Sequence, residues 1–386
     1  MPRANGFRHQ SYTRVGRAAP EYAVRAEAGP PVGAPLFRQR MRRVGMALRQ
    51  SGVAAVYLLD SGCAGRELCA VLSQVVRAFP DTAEVVGRLR QTAATLDHDG
   101  GDYSNAFVQC LASAINPAGQ RPIPVRRFCW SGENHHLGRA DGAVRLIDEL
   151  ASLSTEPGAR VLLWGHGHAG NVFALMTNLL AGDRRGVDGF FRAAEVYYRW
   201  PIVGCVDVPV WNRVRRRLDR EGSPLGGLRL DLVTFGTPVR YGWESAGYAR
   251  LLHFIHHASG PGGPRRCAAF PTRPHGEAVE GDCLQQLGIA GTDAMPDWHA
   301  WRCRWAHRRL EELLESGLKR SDLPERLRAG RIVPDEGITL LVDYGAAPEA
   351  ARRHAGHTVY TRPEWLVFHA EEVARRFYPA GMSKAA

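Results

Sequence analysis

The sequence predicts an α/β fold with a mostly parallel β-sheet and helices on both faces. Short apolar runs of strand length alternate along the chain with segments of helical periodicity, which is the pattern of strands joined by crossover helices. Several of these runs enter turns made of glycine and other small residues. The 386 residues are 45% hydrophobic and 23% charged, so the chain can bury a large core and is not wholly disordered.

The domain organisation follows from shifts in composition. Residues 1–50 are rich in Arg, Gly and Pro and show no clear period until Leu36–Gln50, where a helix is predicted. We therefore expect a basic, partly disordered N-terminal segment over 1–50 and one domain over 51–386. Residues 183–227 are rich in aromatic residues and Arg and interrupt the alternation, so they predict a cap insertion within that domain.

Six strands are predicted in the domain, each from an apolar run bounded by polar or small residues. The predicted strands are Val53–Leu59, Val125–Trp130, Arg160–Trp164, Leu228–Phe235, Leu251–Ile255 and Ile338–Val342. Helices are predicted where apolar residues recur at helical spacing, over Glu67–Phe79, Arg139–Leu150, Asn171–Leu180 and Trp365–Phe377.

Composition and charge argue against several classes of protein. No stretch approaches the roughly 18 consecutive apolar residues of a membrane span, and the N-terminus lacks the apolar core of a secretory signal. The net charge is +11, but the Arg residues are dispersed without an aromatic-interleaved basic stripe, so no specific nucleic-acid binding is expected. The eight Cys include no Cys-x-x-Cys pair, which predicts reduced, buried thiols in a cytoplasmic protein.

The most informative segment is the turn after the predicted strand Arg160–Trp164. It has the sequence Gly165-His-Gly-His-Ala-Gly170 and leads into an apolar helix. A strand, a Gly-x-Ser-x-Gly turn and a helix form the nucleophile elbow of α/β hydrolases, where small residues flank a nucleophile on a strained turn. Here the nucleophile position is Gly167, which has no side chain and cannot attack a carbonyl.

The chain resembles a lipase- or esterase-type α/β hydrolase over about residues 53–378. Trp164-Gly-His-Gly-His-Ala-Gly-Asn171 resembles the lipase elbow His-Ser-His-Gly-Gly-Asn, with Gly167 in place of the serine and Ala169 in place of one glycine. Phe235-Gly-Thr-Pro238 resembles the Gly-Thr-Pro that ends a strand in many lipases. Trp130-Ser-Gly132 with Asn134 resembles another strand-end loop of these enzymes.

The resemblance implies positions for the other catalytic residues. Gly356-His357, beyond the last strand, resembles the site of the catalytic histidine, although a structural hydrogen bond is an alternative role for His357. Three carboxylates lie where the acid is expected, namely Asp282 and Asp293 after the strand Leu251–Ile255 and Asp343 at the end of the last strand. Each of them equally fits a surface or turn-capping role.

The loop that supplies an oxyanion donor in such hydrolases corresponds to Asp60, Ser61 and Gly62. A carboxylate there would repel a developing oxyanion, so a second catalytic position departs from the pattern. The backbone N–H of His168 would be the other oxyanion donor, and the side chains of His166 and His168 would line the pocket. Ser61 and Cys63 are alternative nucleophiles. His166 and His168 lack a third metal ligand, so no metal is expected.

The same turn also satisfies the dinucleotide-binding pattern Gly165-x-Gly167-x-x-Gly170. That pattern requires an acidic residue about twenty positions later, at the end of a second strand. The available residues are Asp183 and Asp188 in a Gly-rich stretch and Glu195 in a helix-like stretch.

Three functions follow from these residues. The first is a hydrolase-fold protein without the serine nucleophile and without a cofactor, impaired or repurposed to bind a small apolar or ester-like ligand or a partner. The second is an active ester hydrolase that uses an unrecognised nucleophile or a water activated by His357. The third is a dinucleotide-binding oxidoreductase that uses Gly165, Gly167 and Gly170.

Overall fold

The structure is a computed structural model. It describes residues 3–4, 7–8, 21–60, 103–199, 208–220, 222–257, 281–282, 285, 293, 295–296, 300–314, 336–345 and 356–379. In this part of the chain, β1 (Arg3–Ala4) and β2 (Phe7–Arg8) form a small antiparallel pair, and seven strands form the main sheet.

The main sheet is parallel throughout. Its strands are β3 (Glu21–Arg25), β4 (Val53–Leu59), β5 (Val125–Arg127), β6 (Arg160–His166), β7 (Arg229–Phe235), β8 (Arg250–His256) and β9 (Ile338–Asp343). They lie in the order β3-β9-β8-β7-β6-β4-β5, and every neighbouring pair is parallel. The predicted α/β class with a parallel sheet is therefore confirmed.

Helices cover both faces of the sheet. They are α1 (Pro35–Gln50), α2 (Asn105–Ile115), α3 (His136–Ala151), α4 (Ala169–Ala181), α5 (Arg184–Tyr198), α6 (Pro209–Leu218), α7 (Trp301–Leu314) and α8 (Leu366–Phe377). Residues of α1, α2 and α8 pack in one apolar cluster, and residues of α3 to α7 pack in the other. The predicted helix Glu67–Phe79 lies outside the described residues.

The strand β6 shows why continuous apolar runs form this sheet. Val161 and Leu163 belong to the cluster on one face, and Leu162 and Trp164 belong to the cluster on the other. Because side chains alternate across a strand, a strand that is buried on both faces must be apolar at every position.

Residues 21–50 are part of the main sheet and its core, so the domain begins before the boundary predicted at residue 50. Strand β3 pairs with β9, with Tyr22 opposite Leu340, and α1 buries Phe37, Met41 and Leu48 against the core. The strand escaped prediction because it is short and its partner follows more than 300 residues later along the chain. The predicted helix Leu36–Gln50 corresponds to α1.

The insertion predicted at 183–227 contains the helices α5 and α6. Its described residues Phe190, Phe191, Tyr198 and Trp211 are buried in the cluster that also holds α3 and α4, and Trp211 Nε1 donates to Asp141 Oδ1 of α3 at 2.8 Å. Trp211 stacks on Phe190 and Tyr198, with ring centroids 5.7 and 5.1 Å apart. These aromatic residues therefore build core. No helix in the described part of the chain has the length and apolar character to cross a membrane.

A buried ion pair joins β6 and β7 at their amino ends. Arg160 contacts the two carboxylate oxygens of Asp231 at 2.5 and 2.7 Å, and Tyr378 donates to the same carboxylate at 2.8 Å. Asp231 is fully buried. Removing one member of such a pair leaves the other charge buried without compensation.

We expect Asp231→Asn to lower the free energy of unfolding by about 3–5 kcal/mol. The matched control is Asp148→Asn, which breaks the exposed pair with Arg213. An exposed pair contributes less than about 1 kcal/mol, so the free energy of unfolding of this variant should stay close to that of the native chain. Urea unfolding measures both, and equal losses would contradict a structural role for the buried pair.

Candidate active site

The turn between β6 and α4, here called the elbow after the prediction made for it, contains Gly167. Gly167 has a φ of +56°, in the left-handed region that glycine occupies with least strain. Its N–H donates to Phe235 O at 2.8 Å, and its carbonyl accepts from Thr237 Oγ1 at 2.8 Å. The turn is therefore held against the carboxyl end of β7.

The flanking glycines are required by close packing. A Cβ at Gly165 would lie 2.5 Å from Phe173, and a Cβ at Gly170 would lie 2.2 Å from Thr237 Oγ1. Both separations are well below van der Waals contact. The glycines at these two positions therefore allow β6, α4 and the segment after β7 to meet, independently of any bound ligand.

The structure pairs His357 with Asp282. His357 Nδ1 lies 2.8 and 3.0 Å from the two carboxylate oxygens of Asp282, and both side chains are buried. Tyr360 and the backbone N–H of Gln285 also donate to this carboxylate, at 3.0 and 2.9 Å. The carboxylate is thereby fixed in position, and it orients the imidazole.

This pair lies beside the elbow. The ring of His166 stacks on the ring of His357 with centroids 4.3 Å apart, and His166 Nε2 lies 3.1 Å from His357 O. Because His166 directly precedes Gly167, the stacking places the imidazole of His357 next to the turn. With Nδ1 on Asp282, Nε2 is the ring nitrogen left for a ligand or a water.

The other two carboxylates predicted as acids have different partners. Asp343 Oδ1 accepts from Gly345 N at 2.8 Å, which is a turn contact. Asp293 contacts Arg139 at 2.7 Å, Arg240 at 2.8 Å and His136 at 2.9 Å. Of the three candidates, Asp282 is the one that contacts His357.

A buried basic cluster borders the elbow on the side of His168. It consists of Arg139 and Arg240, whose side chains are fully buried, around Asp293. Although burial opposes it, the charges of Arg139 and Arg240 hold the pKa of Asp293 well below its usual range. Burial, reinforced by the same two arginines, holds the pKa of His168 well below its usual range. His168 is therefore neutral at pH 7, and its Nδ1 lies 3.3 Å from Asn171 Nδ2.

The carboxylate of Asp60 is paired with a cation. Arg127 holds its Oδ2 with two nitrogens, at 2.7 and 3.0 Å, and Trp130 Nε1 donates to the backbone carbonyl of Asp60 at 2.7 Å. The expected repulsion of an oxyanion is thus offset by an adjacent guanidinium. Ser61, Gly62 and Cys63 lie outside the described residues.

The acidic residues considered for dinucleotide binding lie on or next to one helix. Asp183 caps α5 and accepts from Gly186 N at 2.7 Å, while Asp188 and Glu195 belong to α5 itself. Helix α5 begins three residues after α4 ends, so no strand separates them. The second strand that the dinucleotide pattern needs at this place is therefore not formed.

Sequence reasoning missed the role of Gly236 in the site. Its φ is +57°, and a Cβ there would lie 2.3 Å from Asp282 Oδ2 and 3.0 Å from His357 Nδ1. The Gly-Thr-Pro pattern marked the strand end, but contact with residues 46 and 121 positions later cannot be read from it.

We expect Gly236→Ala to displace Asp282 and His357 and to destabilise the fold by about 1–3 kcal/mol. The control is Gly158→Ala, also at positive φ (+81°) but with no atom within 4 Å of the added Cβ. The nuclear magnetic resonance (NMR) chemical shifts of the His357 ring should change in Gly236→Ala and should stay the same in Gly158→Ala. Unmoved signals in both would contradict the packing described for Gly236.

Comparisons with models of known families, with curated proteins and with solved structures found no match. Within the described ranges, no group of three or more His, Cys, Asp or Glu side chains has an arrangement that could hold a metal ion.

Proposed function

We propose that the protein is a lipase/esterase-type α/β-hydrolase-fold protein that binds a small apolar or ester-like ligand at the Gly167 turn without forming a seryl intermediate. The observation that carries this proposal is the buried Asp282–His357 pair beside a glycine with a φ of +56°. In this account residues 183–227 form the cap of the fold.

The chemistry of the site follows from the residues around the turn and from the absence of a side chain at Gly167. Nδ1 of His357 faces Asp282, so Nε2 is the ring nitrogen that can accept a proton. The backbone N–H of His168, the residue after Gly167, would donate to a carbonyl oxygen, as the resemblance to hydrolases implies. Because Gly167 has no hydroxyl, a bound ester would contact His357 as a base and the N–H of His168 as a donor. It would find no nucleophile at position 167.

Ligand binding can be tested by saturation-transfer NMR with ethyl butyrate. We expect transfer to the ester with the native chain, and its loss in Gly167→Asn, because the added side chain would occupy space at the turn where the ligand is proposed to bind. Asn is among the residues that best tolerate positive φ. Gly158→Asn is the matched control, at φ +81° with open space around it. Transfer that persists in folded Gly167→Asn would contradict the proposed site.

Hydrolysis by an activated water is a second candidate, favoured by the orientation of His357. In that step Nε2 accepts a proton from water, the hydroxide attacks the ester carbonyl, and the same proton passes to the leaving alkoxide. Slow turnover of p-nitrophenyl butyrate by the native chain, lowered about 10²-fold or more in His357→Ala, would support it. Turnover that is unchanged in His357→Ala would count against it.

A further inference from the structure

A buried hydroxyl, that of Tyr360, contacts the carboxylate of the Asp282–His357 pair. Tyr360 is fully buried, and its Oη lies 3.0 Å from Asp282 Oδ2. Tyr360 and His357 lie three residues apart in a 3₁₀ helix, His357–Thr361. Side chains three residues apart in such a helix lie on the same side. One short helical turn therefore brings the imidazole and the phenol to the same carboxylate.

The backbone of β8 fixes the direction of the Tyr360 proton. The N–H of His256, the last residue of β8, donates to Tyr360 Oη at 2.7 Å. An amide N–H can only donate, so the hydroxyl oxygen accepts in this bond. Among the described residues, Asp282 is the remaining hydrogen-bond partner of the hydroxyl. Its single proton is therefore directed to Asp282.

The Tyr360 hydroxyl keeps this proton at neutral and at moderately alkaline pH. Burial raises the pKa of Tyr360 well above its usual range, and the nearby charge of Asp282 raises it further. A protonated phenol can donate one hydrogen bond while its oxygen accepts others. Tyr360 therefore acts as a constant donor to Asp282 while it accepts from the backbone of β8.

The contact opposes rotation of the Asp282 carboxylate. Oδ1 accepts from the backbone N–H of Gln285 at 2.9 Å, and Oδ2 accepts from Tyr360. Hydrogen bonds to both oxygens lock the side chain in one rotamer, which is how a supporting residue holds a functional group in place. Within the described ranges, loss of Tyr360 Oη would leave a single donor, besides His357, on this carboxylate.

The ring of Tyr360 is packed against the same groups. A Cβ at Gly236 would lie 2.5 Å from Cε2 of Tyr360, so the glycine at this position leaves room for the phenol. The rings of Tyr360 and His357 are nearly perpendicular, with centroids 6.0 Å apart. Replacing Tyr360 by Phe would keep these ring contacts and would remove the hydroxyl alone.

We propose that Tyr360 is a positioning residue of the site at the Gly167 turn. It locks the carboxylate of Asp282, so that the neutral ring of His357 holds its proton on Nδ1 and keeps Nε2 as the acceptor. This role rests on the proposed function, in which Nε2 serves the ligand. The position of the ring proton can nevertheless be measured on the chain without any ligand.

The test is Tyr360→Phe in the full chain with isotope-labelled histidine. At about pH 9, well above the ordinary pKa of histidine, the nitrogen chemical shifts of an imidazole show which nitrogen carries the proton. We expect the native His357 ring to carry it almost wholly on Nδ1. In Tyr360→Phe the ratio of this tautomer to the Nε2–H tautomer should fall about tenfold, as expected for the loss of one hydrogen bond to a charged group.

The matched control is Tyr378→Phe. Tyr378 is also buried, and its hydroxyl donates to the buried carboxylate of Asp231 at 2.8 Å. The control variant therefore loses the same kind of hydrogen bond at a different carboxylate. It should leave the tautomer ratio of His357 unchanged. Circular dichroism shows whether each variant is folded.

Three outcomes would overturn the positioning role of Tyr360. They are an unchanged ratio in folded Tyr360→Phe, an equal change in Tyr378→Phe, and a native His357 ring that carries its proton on Nε2. If Tyr360→Phe does not fold, the native chain decides. The hydroxyl proton of Tyr360 should then show a through-space NMR contact to the Nδ1 proton of His357, and the absence of this contact would refute the role.

The result is separate from that of the ethyl butyrate experiment. A ratio that falls in Tyr360→Phe, without saturation transfer to the ester in the native chain, would refute the proposed ligand and still support the positioning role. An unchanged ratio in a chain that binds the ester would refute the role of Tyr360 alone.

Discussion

Replacing Gly167 with serine is expected to create turnover of p-nitrophenyl butyrate, raised roughly 10³-fold or more over the native chain. The hydroxyl would stand at the position that an elbow nucleophile occupies, beside an imidazole already oriented by Asp282. The reaction would then proceed through a seryl ester, with His357 as the base and afterwards as the acid. A progress curve with a burst of p-nitrophenol would report the acyl intermediate.

Two further variants distinguish the effect of the serine hydroxyl from the effect of adding any side chain at position 167. Gly167→Ala adds the same backbone strain, on the order of 1–3 kcal/mol, but no nucleophile, and should remain inactive. Adding Asp282→Asn to Gly167→Ser should return the turnover to that of the native chain, since the imidazole then loses its correct tautomer. A folded Gly167→Ser variant without any gain would show that an oxyanion donor is also missing.

Acidification below about pH 6.5 is expected to destabilise the protein steeply. Burial lowers the pKa values of His253, His307 and His369 to about 3. The same groups titrate near 6.5 in an unfolded chain, so between pH 6.5 and 3 the unfolded state binds more protons than the folded one. The stabilisation is fully present above about pH 6.5 and is lost as the pH falls toward 3.

These three histidines alone are expected to give a slope of roughly 4 kcal/mol per pH unit, because each of them contributes about 1.4 kcal/mol per unit. The free energy of unfolding in urea, measured at steps between about pH 7.5 and 4.5, gives this slope. His369→Gln removes one titrating group, while its amide can still reach Tyr344 Oη, and should lower the slope by about 1.4 kcal/mol per pH unit. A flat profile below pH 6.5 would contradict neutral burial of these histidines.

Much of the sheet can be predicted from the sequence because its strands are buried on both faces. Val53–Leu59 is apolar at every position, and the structure forms a strand with the same bounds. The predicted strand Val125–Trp130 ends early, at Arg127, and Trp130 beyond it donates its Nε1–H to the carbonyl of Asp60. Strand β3 could not be predicted, because a short edge strand with polar residues takes its stability from a distant partner.

The candidate site could be predicted only in part. The turn is local in sequence, so the sequence alone shows a glycine at the position predicted for a nucleophile. The sequence does not decide which of Asp282, Asp293 and Asp343 pairs with His357. Asp282 contacts His357 from 75 residues away along the chain, and such a contact depends on the tertiary fold. The same limit applies to Asp60, because its partner Arg127 lies on the neighbouring strand β5.

Treating the native chain with a fluorophosphonate probe and measuring its intact mass is the most direct test of a site without a seryl nucleophile. We predict no adduct on the native chain and one adduct on Gly167→Ser under the same conditions. A stoichiometric adduct on the native chain, at Ser61, Cys63 or any other residue, would contradict the absence of covalent catalysis.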